Sequence, residues 1–372
     1  NNNDFYFNNL IKKKKLQEDR ILFIYNNLTK MDSYELEKKN KIKKIFLLSK
    51  RIGFFKELKN FFLVNYEFLQ GLKIYYLSKK NSSFQKFIIQ LLTIRNLTET
   101  LSHYRISHQI NELLKKYKPK NFFLLIEGKL FENFLISNVR KVNKNIIIYG
   151  YQHSIITQNH FGFRRKFEKK FEPDVLFTTG NYNKEILSKY GIKSEIIGPK
   201  TNYSEKIEVN EIFNFKNNNQ EIIKILILSE GLKEEYNFFF KLCNHLSKIK
   251  GIEILWRNHP ALRIEEIKKD FYKLNNFNVS TSNSLSDDAI VSDIAIYRGS
   301  SAIVDALKFG VVPFYIQKDD TDGDPLFFSN IGKKLNVEKC LNYFNNFENK
   351  EIFKKYQKKY ITEASEFYKN YY

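Results

Sequence analysis

The chain has 372 residues, more than one hydrophobic core ordinarily organises, so two domains with a cleft between them are expected. An apolar fraction of 42% with 35 Phe and 23 Tyr excludes a disordered chain. The formal charge of +21 admits nucleic acid, anionic lipid and anionic small molecules alike, and the richness in Lys, Asn and Ile resembles AT-rich coding bias, so charge alone selects none of them.

Cys243 and Cys340 are the only cysteines, which excludes a disulfide framework and a four-cysteine zinc site and fits a reducing compartment. A cytoplasmic protein is expected. No stretch reaches the roughly 18 to 20 apolar residues needed to span a bilayer, and the start lacks a signal pattern, so any membrane contact is peripheral.

In chain order, residues 21–29 read as a short buried strand, and 33–118 as mostly helix, because long Lys/Glu-rich amphipathic stretches run there without Gly or Pro clusters. From 121 the pattern changes to short apolar runs. Phe122–Ile126, Ile146–Tyr151, Val175–Thr179 and Ser194–Ile197 are strands separated by helices. The polar segment 206–221 reads as a linker. A second series follows: strands at Ile222–Leu228, Ile252–Trp256, Phe277–Thr281, Ile294–Tyr297 and Val311–Ile316, with helices at Glu234–Lys248 and Ile264–Leu274. Two rounds of β-α alternation predict an α/β protein of two Rossmann-like, doubly wound domains, with ligands at the carboxyl ends of the strands. The expected division is 1–205 on the acceptor side with a helix-rich first third, 206–347 for the nucleotide sugar, and a helix at 348–372 packing back on the first domain.

The candidate chemistry lies at those strand ends. Tyr297, Arg298, Gly299, Ser300 and Ser301 follow one strand and open a helix. Gly299 permits a tight turn, Ser300 is the expected N-cap, and Arg298 adds a permanent positive charge, the parts of a phosphate cradle. Ser300 as a simple cap, with Arg298 paired to a carboxylate, is the plainer alternative. Arg257, His259 and Pro260 follow another strand, where Pro260 imposes extended geometry on the residue before it and suits a turn toward phosphate or ribose. Glu230 and Gly231 follow a third; Glu230 is a base, a nucleophile, an acceptor for sugar hydroxyls, or an ordinary first-turn acid. In the first half, Glu127 is a candidate general base, and Gln152 and His153 are candidate ligands of sugar oxygens. Asp319–Pro325 offers spaced carboxylates but lacks the calcium-loop pattern, so no metal is expected; neither Walker A nor a GxGxxG motif occurs, and no cofactor is expected.

Glu127-Gly128, Tyr151-Gln152-His153, Ser229-Glu230-Gly231, Arg257-Asn258-His259-Pro260 and Tyr297-Arg298-Gly299-Ser300-Ser301 together resemble a family of bacterial surface carbohydrate biosynthesis proteins, related to the retaining β-Kdo transferases of O-antigen and capsule assembly. The resemblance covers roughly residues 120–330, and the His-Pro and Ser-Ser pairs are also similar to motifs of bacterial sialyltransferases. It implies a GT-B-like glycosyltransferase that uses CMP-Kdo or another CMP-nonulosonate, with His259 and Ser300/Ser301 on the phosphate and Arg257 and Arg298 nearby. It also implies catalytic roles for Glu127, Glu230 and His153, a lipopolysaccharide or capsule glycan as acceptor, and, with the basic surface, peripheral contact with the inner membrane. Glu230 stands where that family has an aspartate nucleophile, a departure that leaves retention open. The enzymatic alternative is a polyol-phosphate or nucleoside-diphosphate-sugar transferase. The non-enzymatic one is a basic nucleic-acid-binding protein, disfavoured because the lysines are dispersed and no nucleic-acid module is present.

Overall fold

The structure, a computed structural model, describes residues 22–26, 44–48, 52–77, 83–165, 167–198, 222–231, 233–259, 274–317, 323–329, 331–345, 357–364 and 366–367. The expected linker, Pro260, most of the expected helix at Ile264–Leu274 and four residues of the acidic turn, 319–322, lie outside them. Contacts divide the chain into two compact units, 1–152 with 165–177 and 153–164 with 178–372.

In the first unit, β1 (Leu22–Asn26) and β2 (Lys44–Leu48) form a parallel pair in register. The reading of 33–118 as mostly helix holds for 54–77 and 83–117, and β2 is the exception within it: the run Ile45-Phe46-Leu47-Leu48 is too short and too continuously apolar to form one helical stripe. Two long helices follow, α1 (Phe54–Leu77) and α2 (Ser83–Tyr117). A four-stranded sheet is ordered β3 (Asn121–Leu125), β4 (Ile147–Gln152), β5 (Val175–Thr178), β6 (Glu195–Ile196). α3 (Leu130–Val142) crosses from β3 to the parallel β4 and buries Leu135, Ile136 and Val139, the i, i+1, i+4 positions of one apolar face. α4 (Asn181–Lys189) lies between β5 and β6 in the chain, and by contact α4 and β6 are assigned to the second unit.

The second unit is built on a six-stranded sheet. Its strands are β7 (Ile223–Leu228), β8 (Ile252–Arg257), β9 (Phe277–Val279), β10 (Ile294–Tyr297), β11 (Val312–Ile316) and β12 (Lys333–Leu335). All pair in parallel in the order β12-β11-β10-β7-β8-β9. The central strands are largely apolar because both faces are covered, and the inner charges of β7 and β8, Lys224 and Glu253, are half-buried and pair with each other at 3.6 Å. Ile225, Ile227, Ile294 and Ile296 point into one core with Phe239, Leu242 and Leu246 of α5 (Lys233–Leu246) and Cys340 and Phe344 of α8 (Val337–Asn345). The alternate residues Leu226, Leu228, Ala295 and Tyr297 point into the other, with Ile303, Val304, Ala306 and Leu307 of α7 (Ala302–Leu307). A short helix α6 (Leu285–Ile290) precedes β10.

Residues 357–364 are helical and belong by contact to the second unit. Ala364 enters its second core cluster, Gln357 Nε2 donates to Asp293 Oδ1 at 3.3 Å, and Phe367 meets Tyr182 edge to face at 5.1 Å. No described helix is long and apolar enough to cross a membrane.

Candidate functional site

The order of the second sheet fixes where a site can form. β8 and β9 lie to one side of β7, whereas β10, β11 and β12 lie to the other, so the winding reverses between β7 and β10. Crossovers that leave on opposite faces open a crevice at the carboxyl ends there. Register brings the ends level: Leu228 pairs with both Tyr297 and Arg257, the last residues of β10 and β8. Ser229-Glu230-Gly231, Asn258-His259 and Arg298-Gly299-Ser300 therefore leave the sheet side by side.

Close packing brings them together. A Cβ on Gly299 would overlap the Glu230 carboxyl group, so the bare glycine is what lets that side chain lie across the turn after β10. A Cβ on Gly231, whose φ is +88°, would stand 2.5 Å from His259 Nδ1. Glycine meets both demands at once, a left-handed turn and room for an imidazole. Partial burial lowers the His259 pKa, so its surroundings disfavour the charged ring. Ser229 Oγ is buried at the same edge and has no hydrogen-bond partner among the described residues. The Arg298 guanidinium lies 5.1 Å above the Phe238 ring, which keeps its planar charge at the mouth of the turn.

The turn after β10 corrects one expectation. Ser301, not Ser300, is the N-cap of α7, and its side chain makes no capping bond. Ser300 is buried, and its carbonyl takes the Ile303 N–H at 3.3 Å, so the helix begins one residue later than expected. Ser301 is exposed. Tyr297 is buried, with its hydroxyl donating to Asp324 Oδ1 at 3.0 Å. Arg257 Nη1 donates to the Ser284 carbonyl at 3.0 Å and the Ser282 carbonyl at 3.4 Å, and pairs with buried Asp288. Asp288 also takes Ser280 Oγ at 2.7 Å. These bonds tie the loop after β9 to the end of β8 and hold the carrier of His259 in place.

The sequence reading missed the acids beneath the turns. Glu230 N–H donates to Glu235, buried in the first turn of α5. The first unit repeats this arrangement. Glu127 N–H donates to Glu132 Oε1 at 2.9 Å, and Gly128 and Lys129 donate to Glu132 Oε2 at 3.0 and 3.1 Å, over a glycine of φ +81°. Both segments read Glu-Gly-x-x-x-Glu, and the repeated spacing was the available signal. Glu127 itself pairs with Lys129 at the surface of this turn. Gln152 is buried at the end of β4, and His153, half-buried, begins the segment assigned to the second unit.

Burial raises the Glu132 pKa to about 7, against the three amides that favour its charge. A folded pKa above the unfolded value of 4.5 means that the native state holds the proton longer. This group's contribution is therefore complete below pH 4.5 and lost as pH rises to about 7. We expect Glu132→Gln to flatten the fall in unfolding free energy between pH 5 and pH 8, read from urea melts; an unchanged slope would place the titration elsewhere.

Among the described residues no group of three His, Cys, Asp or Glu is placed to hold a metal. Asp324, from the acidic turn, takes the Leu326 N–H at 2.8 Å and pairs with Lys334 Nζ at 3.2 Å.

No family model and no curated protein matches the chain. Solved structures do. CalG4, the calicheamicin glycosyltransferase, superposes with a TM-score of 0.51 at 10% identity, over 93% of this chain and 87% of its own. A glycosyltransferase from Rickettsia africae gives 0.47 at 14% identity over 94% and 93%, and MurG from Acinetobacter baumannii 0.46 at 9% over 71% and 74%. At these identities the match with CalG4 establishes the fold: α/β, GT-B-like, with two Rossmann-like domains.

Proposed function

We propose that this protein is a glycosyltransferase of bacterial surface polysaccharide assembly, moving Kdo or a related nonulosonate from a CMP-sugar to a glycan acceptor. The observation that carries the reading is the convergence of Glu230, His259 and the Arg298-Gly299-Ser300-Ser301 turn at the point where the sheet reverses. GT-B architecture supports the reaction class, and the sequence resemblance supports the donor class.

A CMP-sugar has one phosphate and a sugar carboxylate. Binding it calls for a compact cationic and hydrogen-bonding site rather than a bridging metal. In this account His259, Ser300 and Ser301 hold the phosphate and Arg298 offsets its charge. Arg257 and Tyr297 support these groups from behind, through Asp288 and Asp324. As the bond from the anomeric carbon to the phosphate oxygen breaks, its electron pair passes to CMP, where His259 and Arg298 stabilise the added charge. The acceptor hydroxyl attacks the anomeric carbon and gives its proton to a base, the role that the sequence resemblance assigns to Glu127. Gln152 and His153 bind sugar oxygens. Glu230 either stabilises the electron-deficient sugar or forms a transient bond to it. The acceptor is a lipid-linked or free oligosaccharide, and the enzyme works at the cytoplasmic face of the membrane.

The test is turnover. CMP-Kdo and CMP-sialate, offered with a truncated lipopolysaccharide acceptor, should release CMP and yield a product heavier by one sugar, without added metal. Turnover of UDP-sugars or transfer of a polyol phosphate in place of these donors would overturn the donor assignment.

A further inference from the structure

The helix α1 is amphipathic the wrong way round for a helix packed only on its neighbour. Among the described residues, polar contacts tie it to α2: Arg105 Nε reaches Glu57 at 2.8 and 2.9 Å, Lys56 Nζ lies 3.0 Å from Glu112, and Tyr104 donates to Glu67. Ten of the 24 residues of α1 are large apolar side chains exposed to solvent. Phe54 is 74% and Phe55 83% exposed. With Leu58, Phe62, Tyr66 and Leu69 they recur at intervals of three and four, which places them on one stripe of the helix.

Charge decides what this stripe suits. Lys59 and Lys73 are exposed along its edge, whereas Glu57 is held by Arg105 and Glu67, although exposed, accepts from Tyr104 of α2 and lies off the stripe, so the apolar stripe itself carries cations and no acid. A helix of 24 residues is about 36 Å long and can lie flat in an interface. Aromatic residues beside lysines are the composition that settles at the headgroup level of an anionic bilayer.

We propose that this face of α1 is a docking surface for an anionic lipid membrane, entered by Phe54, Phe55, Phe62 and Tyr66 and steered by Lys59 and Lys73. It gives a location to the membrane contact proposed above. Lipid binding is read without any nucleotide or acceptor, so this idea and the donor assignment can fail separately.

Flotation of the whole chain with phosphatidylcholine vesicles, with and without one-quarter phosphatidylglycerol, tests it. Wild type should float with the anionic vesicles at low salt. Phe55→Ser/Phe62→Ser should reduce the bound fraction about tenfold, and Lys59→Gln/Lys73→Gln should reduce it on anionic vesicles only. Phe161→Ser, an exposed aromatic of the second unit, should change nothing. Both α1 variants alter exposed side chains, and unchanged thermal melts identify them as folded. Absence of flotation, equal flotation of wild type and both α1 variants, or a dimer that Phe55→Ser/Phe62→Ser converts to monomer without lipid binding would each overturn the proposal, the last in favour of a second copy of this chain.

Discussion

Gly299→Ala is expected to lower transfer by about a hundredfold while leaving a folded protein, because a shift near 1 Å in a reacting group costs that much. The added Cβ would occupy the space of the Glu230 carboxyl group. Glu230 has little room to yield, since its own N–H is fixed to buried Glu235 and the next residue is a glycine at φ +88° backed by the His259 ring. The side chain must therefore swing away from the turn, taking its charge off the strand ends. A second change separates the causes. In Gly299→Ala/Glu230→Ala the overlap is gone, so any loss of melting temperature should recover, but activity should not. Wild-type turnover by Gly299→Ala, measured as CMP release, would show that the Glu230 position does not matter to the reaction.

Asp324→Ala should destabilise the second unit by about 2–5 kcal/mol, the cost of stranding two buried donors. Asp324 is 1% exposed and accepts from the Tyr297 hydroxyl and the Leu326 amide, while its own N–H donates to Gln158 Oε1 at 3.2 Å. The carboxylate thus joins the end of β10 to the turn at Leu326, while the backbone N–H, which Asp324→Ala retains, makes the link to the segment 153–164. Its partner Lys334 is 44% exposed and finds water when the pair is broken, so the loss comes from Tyr297 and Leu326 rather than from the ion pair. Asp324→Asn keeps one acceptor and should cost less than half as much. Equal melting temperatures for Asp324→Ala and wild type would contradict the role assigned to this residue.

Most of the sheet of the second unit was legible because β10 and β11 are continuous apolar runs and β7 and β8 are apolar runs broken by one inner charge each, Lys224 and Glu253; β10 spans Ile294–Tyr297, as its sequence predicts, whereas the edge strand β12, Lys-Lys-Leu, has no such run and was not anticipated. The three strand-end motifs were legible for the same reason, and register then set them level. The buried acids were not. Glu132, Glu235, Asp288 and Asp324 look like surface residues in a chain with 41 acidic side chains, and only the backbone amides, hydroxyls and guanidinium around them distinguish them. For Arg257 and Tyr297 the sequence identifies the strand end but not the direction of the side chain, and both spend polar atoms inside the unit. β2 was hidden among lysine-rich segments whose charge pattern suggested helix. The stripe on α1 has ordinary helical spacing, so its outward direction could be known only once its polar face was found against α2.

The most direct test of the site is a thermal-shift titration with CMP, UMP, CDP, UDP and GDP, with and without Mg²⁺, on wild type and His259→Ala. The account predicts selective stabilisation by CMP that needs no metal, approaching 3 kcal/mol at about a hundredfold excess over the dissociation constant, and absent in the variant. Stabilisation by a diphosphate in preference to CMP would contradict the donor assignment. No response to any nucleotide, or an equal response in His259→Ala, would contradict the site itself.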